Sequence, residues 1–153
     1  MAKKRLTPQD RLALEGWNEL VASIRESSDI NPADSTAEIE TRKKRLETDD
    51  EAWFRYYFAQ YYTCEPAIFH KRATKRFMSH DRWYEVRAWS RELAKSARAM
   101  MEIIKLALTR RVRNVLLISN SGDNAQRLLL PFMANMEENQ RIIQDYGPQK
   151  KPG

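Results

Sequence analysis

Residues 84–108, YEVRAWSRELAKSARAMMEIIKLAL, contain the two adjacent patterns on which the fold prediction depends. Tyr84 to Trp89 alternates charged residues with aromatic or small and branched ones, which favours a β-strand. From Ser96 to about Leu108 the residues are apolar almost all round, as expected of a helix buried against a sheet. The stretch therefore predicts a strand that leads directly into a helix.

The same order recurs in the last third of the chain. Residues 114–119, NVLLIS, form a short, continuous apolar run that is typical of an interior parallel strand. Asp123 to about Asp145 predicts a second long helix, with Gly147 and Pro148 as its stop. A strand-helix-strand-helix order predicts an α/β fold with a parallel sheet, preceded by an amino-terminal helical segment.

The amino-terminal part carries local signals for two helices. The first is predicted from Thr7, as N-cap, to about Arg25. Residues 27–33, SSDINPA, are rich in turn formers and predict a linker. Ser35 followed by Glu38 predicts a capping box that starts the next helix.

Asp49 to about Tyr62, DDEAWFRYYFAQYY, is the most aromatic stretch of the chain. Its aromatic residues recur at helical spacing, and acidic residues at its start complement the helix dipole. Such a stripe is either a platform on which nucleic-acid bases stack or a packing surface. We interpret it as part of the core.

The chain has 153 residues, a formal net charge of +6 and a single cysteine, Cys64. Its basic residues are clustered, which suits a polyanionic partner, although solvated helix faces with acidic neighbours give the same pattern. The clusters are Lys3-Lys4-Arg5, Arg42-Lys43-Lys44-Arg45, Lys71-Arg72 with Lys75-Arg76, and Arg110-Arg111 with Arg113. No apolar run approaches the roughly 20 residues that cross a bilayer, and a lone cysteine agrees with a reducing compartment, so we expect an intracellular protein.

Residues 90–96, SRELAKS, resemble a phosphate-binding loop without its glycines. In the pattern G-x-x-x-x-G-K-[ST], Ser90 and Ala94 stand at the glycine positions, while Lys95 and Ser96 are intact. The loop is predicted at the start of a helix, where unpaired N–H groups and the helix dipole attract anions. The alternative is an ordinary strand-to-helix turn that carries a surface lysine.

The longer pattern resembles the start of the ATPase domain of the large terminase subunit of tailed bacteriophages, the motor that packages viral DNA into proheads. The similar runs are residues 69–72, FHKR; 86–96, VRAWSRELAKS; 115–121, VLLISNS; and Asn124-Ala125 with Leu128-Leu129. Phosphate loops of this family often begin with Ser-Arg or Ala-Arg in place of glycine. The resemblance implies an incomplete P-loop NTPase-like domain over residues 66–153, preceded by a helical region over residues 1–65.

The resemblance also implies a site for ATP and Mg²⁺. It implies that Lys95 contacts the β and γ phosphates and that Ser96 binds Mg²⁺ through its hydroxyl. It also implies that Arg91 stabilises charge during hydrolysis. The whole phosphate loop is implied to be Ser90, Arg91, Glu92, Leu93, Ala94, Lys95 and Ser96. Phe69-His70 stands where the family has an aromatic-Gln pair that contacts adenine, with His in place of Gln.

The family's partners are double-stranded DNA, the portal and the small terminase subunit, in a homo-oligomer without membrane contact, in the cytoplasm of the host bacterium. After Ser121 no apolar strand ends in an Asp-Glu pair, and Glu137-Glu138 lies within the last predicted helix. We therefore expect an amino-terminal fragment, truncated before Walker B and the nuclease residues, that binds nucleotide without hydrolysing it. The alternative is a small basic nucleic-acid-binding or adaptor protein without a nucleotide site; a helicase of the same ATPase group would share the loop.

Overall fold

The computed structural model describes residues 7–149, which form seven α-helices and a short 3₁₀ helix. Within that range no residue belongs to a β-strand, so the predicted α/β fold with a parallel sheet is wrong. The elements are α1 Pro8–Ser27, α2 Thr36–Glu47, α3 Asp50–Tyr57, the 3₁₀ helix Ala59–Tyr61, α4 Ile68–Ser79, α5 Lys95–Leu108, α6 Gly122–Glu138 and α7 Gln140–Tyr146.

The predicted starts of the first two helices are confirmed by their caps. Thr7 Oγ1 accepts from the backbone N–H of Asp10 at 3.1 Å, and the Asp10 carboxylate accepts from the backbone N–H of Thr7 at 3.0 Å. Ser35 and Glu38 make the same reciprocal pair at the start of α2. Each box satisfies two backbone groups that have no partner inside the helix.

The aromatic stretch forms the core, as interpreted from its helical spacing. Trp53, Phe54, Tyr57 and Phe58 are fully buried. They belong to one apolar cluster with residues of α5 and α7, namely Met100, Met101, Ile104, Leu108 and Ile142. Burial of each large side chain contributes about 1.5–3 kcal/mol, so this cluster is the main apolar contribution to the fold.

The two predicted strands, residues 84–89 and 114–119, lie outside the helices and pair with no other segment of the described chain. Residues 85, 87 and 89 are half-buried while their neighbours are exposed, which is the period of two that the sequence pattern predicts. Within residues 7–149, however, no backbone–backbone hydrogen bond joins either segment to the other or to a third segment. A strand requires the N–H and C=O groups of a partner, and side-chain alternation does not supply them.

The predicted helix from Asp123 to Asp145 is two helices, with Asn139 at the break. Asn139 has φ −76° and ψ 106°, and its Oδ1 accepts from the backbone N–H of Ile142 at 3.1 Å to cap α7. Its Nδ2 donates to the carbonyl oxygen of Tyr57 at 2.6 Å. The apolar pattern of the sequence predicts a continuous helix at this point. In the structure, the buried contact between Asn139 and Tyr57 ends α6 here.

Polar contacts fix α7 against α2 and α3. Asp145, whose side chain is 0% exposed, accepts from Arg42 Nη2 at 2.6 Å and from the Tyr57 hydroxyl at 2.5 Å. Burial, aided by the hydrogen bond to Asp145, raises the pKa of Tyr57 and keeps its hydroxyl a donor. Helices from both sides of the predicted boundary after residue 65 thus share one core, and the division itself stays a prediction.

Replacing Asp145 by alanine should lower the free energy of unfolding by about 3–5 kcal/mol, because it leaves Arg42 and the Tyr57 hydroxyl without their buried partner. The matched control is Glu138→Ala, which removes a 2.5 Å ion pair with Arg25, a side chain that is 60% exposed. That pair should contribute less than about 1 kcal/mol. Urea unfolding of both variants checks the difference, and equal losses would contradict it.

Candidate functional site

The turn at residues 89–96 connects the segment of residues 84–89 to α5. Glu92 and Ala94 both lie in the left-handed region, with φ 67° and 50°. For an alanine this conformation costs about 1–2 kcal/mol, and a glycine would relieve it. Ala94 stands at the second glycine position of the phosphate-loop pattern.

The amino terminus of α5 has no side-chain cap. Ala94 stands at the N-cap and offers no side-chain acceptor, and the first turn of the helix contains no acidic residue. In contrast, Thr7, Ser35 and Ser121 cap α1, α2 and α6 through their side chains. The first N–H groups of α5 are therefore available to an external acceptor at the positive end of the helix dipole.

Lys95 adds a full positive charge to this helix end. Its Nζ donates to the carbonyl oxygen of Trp89 at 2.8 Å, across the turn, and its side chain makes no ion pair among the described residues. A cation at a helix amino terminus is unfavourable by a few tenths of a kcal/mol to about 1 kcal/mol. The first turn thus carries uncompensated positive charge, which suits an anion.

Phe69 and His70 lie against this turn, while their implied contact with adenine stays a prediction. At the start of α4, the Phe69 and His70 rings lie 5.2 Å and 5.0 Å from the Trp89 ring, measured between centroids. His70 Nδ1 accepts from the backbone N–H of Ala67 at 3.1 Å, so we assign the ring proton to Nε2, which lies 3.0 Å from the carbonyl oxygen of Leu93. His70 therefore holds the turn through backbone contacts.

Ser90, Arg91 and Ser96 are exposed at the same turn, and none of their side chains makes a hydrogen bond or ion pair within residues 7–149. For Mg²⁺ the only protein oxygen implied here is the Ser96 hydroxyl. No group of three or more His, Cys, Asp or Glu side chains in the described range converges on a metal position. The residues present suit a phosphate anion, but they do not build a magnesium site by themselves.

A buried network of charges supports α5 one turn beyond Lys95. Arg98 is 3% exposed; its guanidinium pairs with Glu51 of α3 and donates through Nε to Thr74 Oγ1 of α4 at 2.8 Å. Thr74 donates in turn to Glu102, whose other carboxylate oxygen lies 2.7 Å from Arg87 Nη1. These side chains therefore join α3, α4 and α5 to the segment of residues 84–89.

Sequence reasoning missed this network. Its signal is the spacing of Arg98 and Glu102, four residues apart on one face of a largely apolar helix. The pattern shows that two charges share a face, but their partners Glu51 and Thr74 lie 47 and 24 residues from Arg98 along the chain. Only the packing of the helices identifies them.

Burial acts differently on the two carboxylates of the network. Burial would raise the pKa of Glu51, but hydrogen bonds from Arg98 and Tyr62 outweigh it and hold that pKa below its usual value. For Glu102 burial dominates and raises the pKa. Both side chains are engaged by their neighbours, so the network positions the turn and does not itself offer a reactive group.

Replacing Ala94 by glycine should stabilise the protein by about 0.5–1 kcal/mol, because relief of the left-handed strain exceeds the added chain entropy of the unfolded state. Ala97→Gly, three residues further and inside α5, should instead destabilise it by about 0.5–1 kcal/mol. Thermal unfolding of the two variants measures both signs. A loss of stability in both variants would contradict the left-handed turn.

The lowered pKa of Glu51 makes stability depend on pH. Its contribution is fully present above the pKa of an unfolded glutamate, about 4.3, and is lost as the pH falls through the lower folded value. Urea unfolding between neutral and acidic pH should show a smaller loss for Glu51→Gln than for wild type. Glu15→Gln, at an exposed position of α1, should keep the wild-type dependence; an unchanged dependence in Glu51→Gln would refute this origin.

No helix in the described part of the chain is long and apolar enough to cross a membrane. Comparison with models of protein families, with curated proteins and with solved structures finds no match for this chain. The assignment of a function therefore depends on the motif at residues 90–96 and on the geometry of the turn that contains it.

Proposed function

We propose that the turn from Ser90 to Ser96 binds the phosphates of ATP, and that the chain is the amino-terminal, nucleotide-binding part of a large terminase subunit. The observation that carries the proposal is the uncapped start of α5, where Lys95 has no acidic partner. An anion at this position would accept hydrogen bonds from the free N–H groups and neutralise the lysine. We infer that the anion is a nucleotide because Lys95-Ser96 and Ser90-Arg91 match the motif of the terminase phosphate loop.

Each residue of the turn receives a role in this proposal. On binding, Lys95 Nζ exchanges the carbonyl oxygen of Trp89 for the β and γ phosphates. Arg91, exposed on the same turn, supplies a second positive charge; its role in stabilising charge during hydrolysis follows from the resemblance alone. The remaining loop residues contribute backbone N–H groups.

The adenine side of the site is assigned to α4. Phe69 is 40% exposed and lies against Trp89, so part of its ring is available to a base. His70 is held by Ala67 and Leu93, and we assign it to positioning the turn, with adenine contact left to Phe69.

Magnesium enters this proposal with the nucleotide. Ser96 offers one hydroxyl oxygen, and Mg²⁺ is commonly bound through substrate phosphates with few protein ligands. The proposed activity of the described residues is therefore nucleotide binding.

The partners and location follow from the resemblance. They are double-stranded DNA, the portal, the small terminase subunit and further copies of the chain, in the cytoplasm of a bacterium that carries the phage or prophage. The competing function, a basic nucleic-acid-binding protein without a nucleotide site, is favoured by the exposed basic residues of α4. It predicts no response to ATP.

Calorimetric titration with ATP and Mg²⁺ tests the phosphate role of Lys95. Lys95→Ala should weaken binding at least tenfold, since a lost charge-assisted contact costs about 1.5–3 kcal/mol and tenfold corresponds to about 1.4 kcal/mol. Lys44→Ala, which removes an exposed lysine of α2, is the charge-matched control and should bind like wild type. Identical isotherms for wild type and Lys95→Ala would remove Lys95 from the phosphate site.

A further inference from the structure

The exposed face of α4 carries four basic residues, Lys71, Arg72, Lys75 and Arg76. Their spacing of one, four and five residues places them on one side of a helix. The opposite side packs into the protein through Ala73, Thr74 and Met78, which are buried. The helix is therefore held by its apolar side while it presents a row of positive charge outward.

The basic residues of this face are largely uncompensated. Arg72 and Lys75 make no hydrogen bond or ion pair among residues 7–149, and Lys71 and Arg76 affect acidic groups only at longer range. At the carboxyl end of α4, Arg111 donates to the carbonyl oxygen of Met78 at 2.6 Å and extends the positive surface. Arg111 also pairs with Asp81, at 3.2 Å, so its charge is partly offset.

The basic cluster from Arg42 to Arg45 is used differently. Arg42 pairs with Asp34 and Asp145, and Lys43 pairs with Glu40 at 3.0 Å. These two charges serve the interior of the protein, and only Lys44 and Arg45 remain exposed on α2. The face of α4, in contrast to α2, keeps four exposed basic residues without an ion pair in the described structure.

We propose that this face of α4 binds the phosphate backbone of duplex DNA without reading its sequence. Four charges lie within about 7.5 Å of helix length, and DNA carries one negative charge per about 1.7 Å of its axis, so the two surfaces are complementary. The choice of duplex DNA rests on the proposed packaging function. The surface itself is separate from Lys95.

The structure favours a duplex over other polyanions. Single strands are held by aromatic side chains that alternate with basic ones, whereas residues 71–76, which carry the basic row, contain no aromatic side chain. A helix that lies on a membrane inserts an apolar face, but the apolar side of α4 is occupied by the core, and its exposed large apolar residues, Ile68 and Phe69, lie only at its first turn. A rigid row of charges on a fixed helix matches the regular phosphate rows of a duplex.

The test is fluorescence anisotropy of a labelled DNA duplex, without nucleotide, over about 50–200 mM salt. Wild type should bind with an affinity that falls steeply with salt. The double variant Arg72→Glu and Lys75→Glu should lose at least tenfold in affinity, and its log-log salt slope should be shallower by about 2. Circular dichroism should show an unchanged fold, because neither side chain has a partner in the protein.

The matched control is Lys44→Glu with Arg45→Glu, which makes the same change of charge on exposed residues of α2. It should lose much less affinity than the α4 variant. Equal losses in the two double variants would reduce the effect to net charge and overturn the assignment to α4. Tighter binding to duplex RNA, to single-stranded DNA or to phosphatidylcholine–phosphatidylserine vesicles, with the same sensitivity to the α4 variant, would overturn duplex DNA as the partner.

Two further arms separate this inference from the proposed nucleotide site. Lys95→Ala should keep its DNA affinity, and the α4 double variant should keep its affinity for ATP. If wild type binds DNA but does not bind ATP, the nucleotide proposal alone is rejected. Absence of DNA binding in a protein that binds ATP through Lys95 would reject the α4 surface alone.

Discussion

The burial of Arg98 constrains the rest of the structure. A guanidinium that is 3% exposed is stable only when its charge and its donors are satisfied, and here Glu51, Thr74 and Glu102 satisfy them from α3, α4 and α5. Removal of Glu51 would leave the buried charge of Arg98 without its closest ion-pair partner in a region of low dielectric. The relative positions of three helices are therefore coupled to one side chain.

This coupling bears directly on the turn before α5. Arg98 lies one helical turn beyond Lys95, so the network that holds Arg98 also fixes the direction in which the start of α5 points. The turn itself is strained at Glu92 and Ala94 and lacks a cap, while the helix beneath it is firmly packed. Strain and unsatisfied donors on a rigid support are features that proteins retain at binding sites.

The distribution of charge follows a similar logic. Charges on α2 and α5 that meet acidic partners across the core, such as Arg42 with Asp145 and Lys105 with Asp50, hold helices together. Those on the outer side of α4 meet no such partner in the described structure. The net charge of +6 therefore includes two groups of basic residues: those that pair with acidic residues inside the protein, and those that face outward on α4.

Local signals in the sequence determined much of the helical structure. The N-cap at Thr7 and the capping box at Ser35 act over three residues, and both predicted their helix starts correctly. The aromatic periodicity near Trp53 predicted core residues correctly, but the helix that carries them, α3, ends at Tyr57 and not near Tyr62. The motif at residues 90–96 also located a helix start. Whether that turn holds a nucleotide stays a prediction.

Only the tertiary structure decided that the two predicted strands do not pair, where the last helix breaks and which charges are buried. Residues 84–89 and 114–119 have the pattern of strands but find no backbone partner, because pairing depends on the position of another segment and not on alternation. Asn139 ends α6 through a contact with Tyr57, 82 residues away. Interactions over such separations depend on how the helices pack, and a local pattern carries no information about that arrangement.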